Sequence, residues 1–120
     1  MPIKTGRELI ADAKTRIKEI SAPDVQKRVA NGEAIVLLDI REANEWNLGH
    51  IPNAVYLSRG TLETNIEALV PRDATVVLYC ASGNRSALAA VTLGEMGYGN
   101  VASMAGGFRD WVGTGGDVDD

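Results

Sequence analysis

The residue best suited to chemistry in this sequence is Cys80, the only cysteine, which directly follows an apolar run. Residues 75–79 read TVVLY without a charge, which predicts a strand buried on both faces of a parallel sheet. A small polar loop and an alanine-rich segment follow, and they predict a loop and then a helix. Cys80 is therefore expected at the carboxyl end of a strand, where open α/β sheets place their ligands.

The residues after Cys80 are suited to hold a negative charge on its sulfur. We expect six residues of tight loop before the helix, so several backbone N–H groups lack a helical acceptor and can converge above the sheet. These amides, the positive end of the helix dipole and the nearby Arg85 favour an ionised sulfur. The sequence therefore predicts that Cys80 is a thiolate nucleophile.

Motifs in and around this loop carry a family resemblance. The loop itself, residues 79–86 (YCASGNRS), resembles the active-site loop of the rhodanese-like sulfurtransferases. Residues 37–42 (LLDIRE), 45–46 (EW) and 49–54 (GHIPNA) resemble the amino-terminal signature of that family. Residues 106–111 (GGFRDW) resemble its carboxyl-terminal signature.

The resemblance spans roughly residues 20–112 and implies a rhodanese-type sulfurtransferase. In this family the cysteine accepts a sulfane sulfur as a persulfide and passes it to an acceptor. We expect Cys80 to take sulfur from thiosulfate or a persulfide and give it to cyanide or a thiol, with a protein acceptor as a further option. No cofactor and no metal are expected. The residues expected to bind substrate are those of the loop: Ala81, Ser82, Gly83, Asn84, Arg85 and Ser86.

Two positions in the loop leave the sulfur donor open. Arg85 has two interpretations of equal weight, since it could attract an anionic donor or point to solvent. Ala81 stands where many thiosulfate-using relatives carry a basic residue, which makes the loop less cationic. A protein or low-molecular-weight persulfide is therefore an alternative to thiosulfate.

Three further polar residues are expected to support the site rather than to react. Asp39 ends a strand predicted at residues 34–40, where its carboxylate can accept from loop amides. Arg41 is expected to pair with a carboxylate and so to position a segment. A histidine beside a cysteine nucleophile suggests a dyad. The resemblance instead implies that His50 is structural.

Two other functions compete with sulfur transfer. Cysteine-dependent phosphatases and arsenate reductases use the spacing C-x5-R, whose arginine clamps a tetrahedral oxyanion. Here the sixth residue after Cys80 is Ser86 and the arginine comes one place earlier, so the loop is one residue too short for this clamp. A reductase would usually also need a second, resolving cysteine, which this sequence does not contain. Rhodanese-like domains also serve as non-catalytic interaction modules, but the retained Cys80 favours an enzyme.

The elements that must position these residues alternate between strands and helices, which predicts an α/β domain with a mainly parallel sheet. The resemblance implies a three-layer rhodanese-like domain over residues 20–113, with about five strands flanked by helices. A capping box at residues 5–8 (TGRE) begins an extra amphipathic helix over 1–19, with Leu9, Ala13, Ile17 and Ile20 on one side. Residues 114–120 are predicted to be a disordered acidic tail.

Composition excludes several classes of partner. The 120 residues, 45% of them hydrophobic and 23% charged, predict one soluble globular domain. A net charge of −4 disfavours a nucleic-acid partner, which needs a basic face. We expect no membrane partner and a cytoplasmic protein, because there is neither a membrane-spanning run nor a signal peptide. One cysteine excludes a thiolate zinc site built within one chain, and the single His50 gives no cluster of metal ligands.

Overall fold

The central element of the fold is a five-stranded parallel sheet in the order β1-β5-β4-β2-β3. The computed structural model describes residues 3–120; Met1 and Pro2, the start of the predicted 1–19 extension, lie outside the described residues. The strands are Lys18–Ser21 (β1), Ile35–Asp39 (β2), Val55–Tyr56 (β3), Thr75–Tyr79 (β4) and Val101–Ala105 (β5). The helices are Gly6–Thr15 (α1), Ala22–Ala30 (α2), Ala43–Leu48 (α3), Leu62–Leu69 (α4), Asn84–Glu95 (α5) and Gly107–Gly113 (α6). The predicted α/β fold with about five strands and an extra amino-terminal helix is confirmed.

Side chains that alternate along the strands divide the core into two layers. Val76 and Leu78 of β4 pack with α4 and α5 on one face of the sheet. Val77 and Tyr79, which point the opposite way, pack with α2 and α6. Because side chains alternate with a period of two, Cys80 continues the row of Val76 and Leu78 and lies in the layer of α4 and α5.

The amino-terminal segment corrects the sequence prediction in one respect. The predicted capping box is present, since Thr5 Oγ1 accepts from the Glu8 N–H and Glu8 accepts from the Thr5 N–H. The helix ends at Thr15, however, so Ile17 and Ile20 do not extend it, and residues 18–21 pair with β5 as an edge strand. The short sequence KEIS lacks the apolar run of a buried strand, and its pairing depends on residues more than 80 positions away. The helix α1 packs against α5 of the same domain.

The carboxyl-terminal segment also differs from its prediction. Residues 114–120 are predicted to be disordered, whereas in the structure the backbone of Asp119 exchanges two hydrogen bonds of 2.9 Å with the backbone of His50. The indole N–H of Trp111 donates to the Asp117 carbonyl at 2.7 Å. These bonds tie the tail to the segment that follows α3 and to α6. Within residues 3–120, no helix has the length and apolar character needed to cross a bilayer.

Burial predicts how two leucines differ in their contribution to stability. Leu78 lies in β4 with none of its surface exposed, whereas Leu48 at the end of α3 is 84% exposed. We expect Leu78→Ala to lower the free energy of unfolding by about 2–5 kcal/mol, because it removes buried methyl groups and leaves a cavity. Leu48→Ala should change it by less than about 0.5 kcal/mol. Urea titrations followed by circular dichroism check the pair, and equal losses would contradict this packing.

Candidate active site around Cys80

Cys80 directly follows β4, and only 1% of the residue is exposed. Its side chain lies in the layer of α5, whose amino terminus begins four residues later. The predicted position at the carboxyl end of a central strand is therefore found in the structure. The sulfur is shielded from water, so its chemistry depends on the protein groups around it.

The loop after Cys80 is shorter than predicted. Only residues 81–83 separate Cys80 from α5, which begins at Asn84 rather than after six loop residues. Gly83 makes the short connection possible, because its φ of 97° lies in the left-handed region that a glycine adopts without strain. A Cβ at this position would also approach the backbone of Gly106.

Two backbone amides point at the sulfur. The Gly83 N–H donates to Cys80 Sγ at 3.2 Å, and the Ser86 N–H donates at 3.4 Å. Ser86 is the third residue of α5, so its N–H has no acceptor inside the helix. The sulfur thus caps α5, and the positive end of the helix dipole faces it.

The Ser86 hydroxyl is a third polar neighbour of the sulfur, with 3.5 Å between Oγ and Sγ. Burial by itself raises the pKa of the Cys80 thiol. The hydrogen bonds from the Ser86 hydroxyl and amide and from the Gly83 amide, together with the nearby Ser82 amide, outweigh burial and leave the pKa below its ordinary value. A larger share of Cys80 is therefore ionised near neutral pH than of an ordinary cysteine.

The corner between β5 and α6 holds the backbone of the loop from the other side. The Phe108 N–H donates to the Cys80 carbonyl at 2.8 Å, and the Arg109 N–H donates to the Ala81 carbonyl at 3.1 Å. Gly107, with a φ of 57°, lies so close that a Cβ would collide with the backbone of Cys80 and Ala81. The short distance between the two segments therefore requires glycine at position 107.

Arg85 forms an ion pair that the sequence did not predict. Its guanidinium forms two hydrogen bonds with the Glu45 carboxylate of α3, at 3.1 and 3.3 Å. The hydrogen bond from Arg85 is the main cause that lowers the pKa of Glu45, and the same bond raises the pKa of Arg85. Arg85 is thus paired with an acidic side chain, which offsets part of its positive charge.

The remaining loop residues differ in their contacts. Ser82 contributes its backbone amide to the surroundings of the sulfur, and its side chain is half-buried. Ala81 contributes its carbonyl to the bond with α6. Asn84 is exposed at the start of α5, and its side chain makes no hydrogen bond with any of residues 3–120.

Asp39 and Arg41 form a buried ion pair at the end of β2. The guanidinium donates to both carboxylate oxygens of Asp39, with a shortest distance of 2.7 Å, and also to the Gly49 carbonyl at 2.7 Å. Its central carbon lies 4.2 Å from the centre of the Phe108 ring. Arg41 therefore links β2, the end of α3 and α6, and α6 in turn holds the loop that carries Cys80.

His50 lies in a stacked aromatic contact rather than at the sulfur. Its ring is parallel to that of Trp46 with 3.5 Å between the centroids, and its Nδ1 lies 3.1 Å from the Trp46 carbonyl oxygen. Among residues 3–120, no hydrogen bond joins His50 to Cys80. His50 therefore packs against α3 through Trp46 and does not form a dyad with Cys80.

The sequence analysis missed one polar residue of the site, Ser103 in β5. Ser103 is fully buried, and its Oγ lies 2.7 Å from Ser86 Oγ. Its signal in the sequence is a serine between apolar neighbours in the strand VASMA. A buried polar side chain in a strand requires a hydrogen-bonding partner, but the sequence does not identify that partner.

Comparison with known proteins gives a family match over most of the chain. Residues 21–114 match the model of the family described as "Rhodanese-like domain". A protein of Allochromatium vinosum named "Sulfurtransferase" is 35% identical over 80% of this chain and 89% of its own length. A Saccharomyces cerevisiae protein named "Thiosulfate:glutathione sulfurtransferase" is 30% identical over 93% of this chain and 90% of its own length. YrkF of Bacillus subtilis, named as a sulfur carrier protein, is 32% identical, and the chain spans 60% of the length of YrkF.

Solved structures are similar along nearly the whole chain. The Rhodopseudomonas palustris protein RPA3614, described as a possible tyrosine phosphatase of unknown function, superposes with a TM-score of 0.89 at 33% identity, over 99% of both chains. A rhodanese-related protein of Thermoplasma volcanium gives a TM-score of 0.73 at 29% identity, over 85% of this chain and 97% of its own.

The tight corner at Gly107 predicts the effect of adding one methyl group. We expect Gly107→Ala to lower the free energy of unfolding by at least about 2 kcal/mol, because the new Cβ collides with the backbone and alanine is strained at positive φ. Gly99→Ala is the matched control, since a Cβ there meets no atom within 4 Å. Denaturant unfolding checks both variants, and a Gly107→Ala protein as stable as the control would show that the corner is not closely packed.

Proposed function

The chain belongs to the rhodanese-like domain family, and on that premise we propose that it is a sulfurtransferase in which Cys80 carries the transferred sulfur as a persulfide. Relatives named as sulfurtransferases at 30–35% identity support a sulfur-transfer role. The observation that carries the proposal is the convergence of the Gly83 amide, the Ser86 amide and the Ser86 hydroxyl on one sulfur atom.

In the first half-reaction the Cys80 thiolate attacks the outer sulfur of the donor. With thiosulfate, the new S–S bond forms as the bond between the two thiosulfate sulfurs breaks, and sulfite leaves with the electron pair. The ionised sulfur is the reactive form, so donors that favour the anion increase the nucleophile available near neutral pH. The Gly83 and Ser86 amides at the start of α5 are such donors.

In the second half-reaction the persulfide gives up its outer sulfur. A thiolate or cyanide attacks that sulfur, and Cys80 leaves as a thiolate with the electron pair of the broken S–S bond. The same hydrogen bonds then stabilise the leaving sulfur, which supports a ping-pong cycle. The donor and the acceptor need not be bound together.

The charges of two loop residues affect the choice of donor. Arg85 is paired with Glu45 and Ala81 carries no charge, so neither position offers an unpaired cation to an incoming dianion. The yeast relative is named for thiosulfate and glutathione, and the Bacillus subtilis relative is named as a sulfur carrier. We therefore propose thiosulfate or a persulfide as donor, and a low-molecular-weight thiol or a protein thiol as acceptor.

Phosphatase chemistry is the second candidate, since the Rhodopseudomonas palustris structure carries that description. An oxyanion clamp requires a free arginine at the start of the helix, but Arg85 is the fifth residue after Cys80 and is bound to Glu45. For a non-catalytic module, the extra helix α1 is one element that could dock a partner, but it packs against α5 and buries Ala13 there. The position and pairing of Arg85 favour sulfur transfer over phosphatase chemistry.

Sulfur loading provides the direct test. We expect the intact mass of the protein to rise by one sulfur atom after incubation with thiosulfate or with a glutathione persulfide, and to return to its initial value with cyanide. Cys80→Ser should show no gain, because the serine hydroxyl is not ionised near neutral pH.

Two outcomes would reject the proposal. Absence of any mass gain with both donors in a folded protein would favour an interaction module. Phosphate release from an aryl phosphate, lost in Cys80→Ser, would favour a phosphatase.

A further inference from the structure

Three buried groups contact one another in series at the active site, and we call this series the line of buried groups. Ser103 Oγ lies 2.7 Å from Ser86 Oγ, and Ser86 Oγ lies 3.5 Å from Cys80 Sγ. Both serines have no exposed surface, and Cys80 is 1% exposed. The three groups come from three elements, namely β5, α5 and the end of β4, and the line makes two contacts.

The number of hydrogen atoms in this line depends on the charge of the sulfur. Each of the two contacts holds one hydrogen. With an ionised sulfur there are two hydrogens, so Ser103 donates to Ser86 and Ser86 donates to the sulfur. With a neutral thiol there are three hydrogens for two contacts.

In the thiol state, the third hydrogen has no hydrogen-bond acceptor. Within residues 3–120, Ser103 Oγ has no hydrogen-bonding partner besides Ser86, and the amides of Gly83 and Ser86 already point at the sulfur. A buried O–H or S–H without an acceptor is unfavourable. The line of groups therefore satisfies every hydrogen only when the sulfur is ionised.

We propose that Ser103 is a positioning residue which, by orienting the Ser86 hydroxyl toward Cys80, favours the ionised sulfur. The proposal rests on the proposed function, in which that sulfur is the nucleophile. Within residues 3–120 no hydrogen bond joins Ser103 to the sulfur, and both serines keep their own protons in the proposed arrangement. The proton of the thiol leaves to solvent on ionisation.

Charged side chains also lie at this end of the sheet, and the test must distinguish their effect on the ionisation of Cys80 from the effect of Ser103. Arg85 of α5 is paired with Glu45 of α3, and Arg41 is paired with Asp39 at the end of β2. The carboxylate of Asp110 in α6 lies beside Gly106. None of these groups hydrogen-bonds to Ser103, so substitution of Ser103 leaves all five charges in place.

The first experiment measures the ultraviolet absorbance of the thiolate against pH in the full chain. Each protein is referenced to the same protein with Cys80→Ser, which removes the signal of the tyrosines. We expect Ser103→Ala to move the midpoint to higher pH, with roughly three- to tenfold less thiolate at a pH below the midpoint. This readout does not require a reagent to reach the buried sulfur.

The matched control is Ser21→Ala, which removes a serine hydroxyl from β1, the neighbour of β5. Ser21 Oγ accepts from the Asp24 N–H and caps α2, so its loss lowers stability without touching the line of buried groups. We expect an unchanged midpoint. A shift equal to that of Ser103→Ala would show that general destabilisation moves the titration and would overturn the proposal.

A double substitution tests whether Ser103 acts through Ser86. Ser86→Ala should move the midpoint at least as far as Ser103→Ala, because it removes the hydroxyl that contacts the sulfur. In the Ser86→Ala background, Ser103→Ala should have no further effect. An effect that persists there, or no effect of Ser103→Ala alone, would overturn the proposal.

A second pair of variants applies if Ser103→Ala does not fold. Ser103→Thr and Ser103→Val have nearly the same volume and differ in the hydroxyl, so overpacking affects both alike. We expect Ser103→Thr to keep the wild-type midpoint and Ser103→Val to raise it, and equal midpoints would overturn the proposal.

The titration uses no sulfur donor, so its outcome is separate from that of the sulfur-loading test. A shifted midpoint in a protein that takes up no sulfur rejects only the proposed function. Sulfur uptake without a shifted midpoint rejects only the role of Ser103.

Discussion

A negative charge on a sulfur shielded from water is stable only if protein groups replace the lost hydration, and this constraint governs the structure around Cys80. Complete burial of an ionisable group disfavours its charged form by about 4–7 kcal/mol. A hydrogen bond to a charged group returns about 1.5–3 kcal/mol. Two amides and one hydroxyl contact the sulfur, so their sum of about 5–9 kcal/mol is enough to offset burial. The direction of the pKa of Cys80, below its ordinary value, agrees with this balance.

The rest of the domain keeps those donors in place. The alternation of side chains along β4 directs Cys80 toward α5, and the left-handed Gly83 brings the amino terminus of that helix over the sulfur. From the other side, the amides at the start of α6 hold the carbonyls of Cys80 and Ala81. Arg41 fixes α6 through the ring of Phe108. The donors are thus oriented before any substrate arrives, which is the arrangement that electrostatic stabilisation requires.

The sequence predicted what short-range patterns encode. An uncharged valine-rich strand that ends at the only cysteine, followed by small residues, identified β4, the loop and α5. Contacts between segments that are distant in the sequence could not be predicted from these patterns. The edge strand β1 is short and polar, so its pairing with β5 left no periodic signal. The pairing of Arg85 with Glu45, 40 positions away, and the contact of Ser103 with Ser86 depend on how elements pack. The hydrogen bonds between the tail and His50 likewise join two segments that are far apart in the sequence.

The central claim is that the amides of Gly83 and Ser86 bind an ionised sulfur, and nuclear magnetic resonance of the two amides tests it most directly. In labelled protein we predict that both resonances move together with pH, with one midpoint below about 8.5, the pKa of an ordinary thiol. The movement should disappear in Cys80→Ser. Two amide resonances that stay constant while Cys80 ionises, or a midpoint at or above that of an ordinary thiol, would contradict the account.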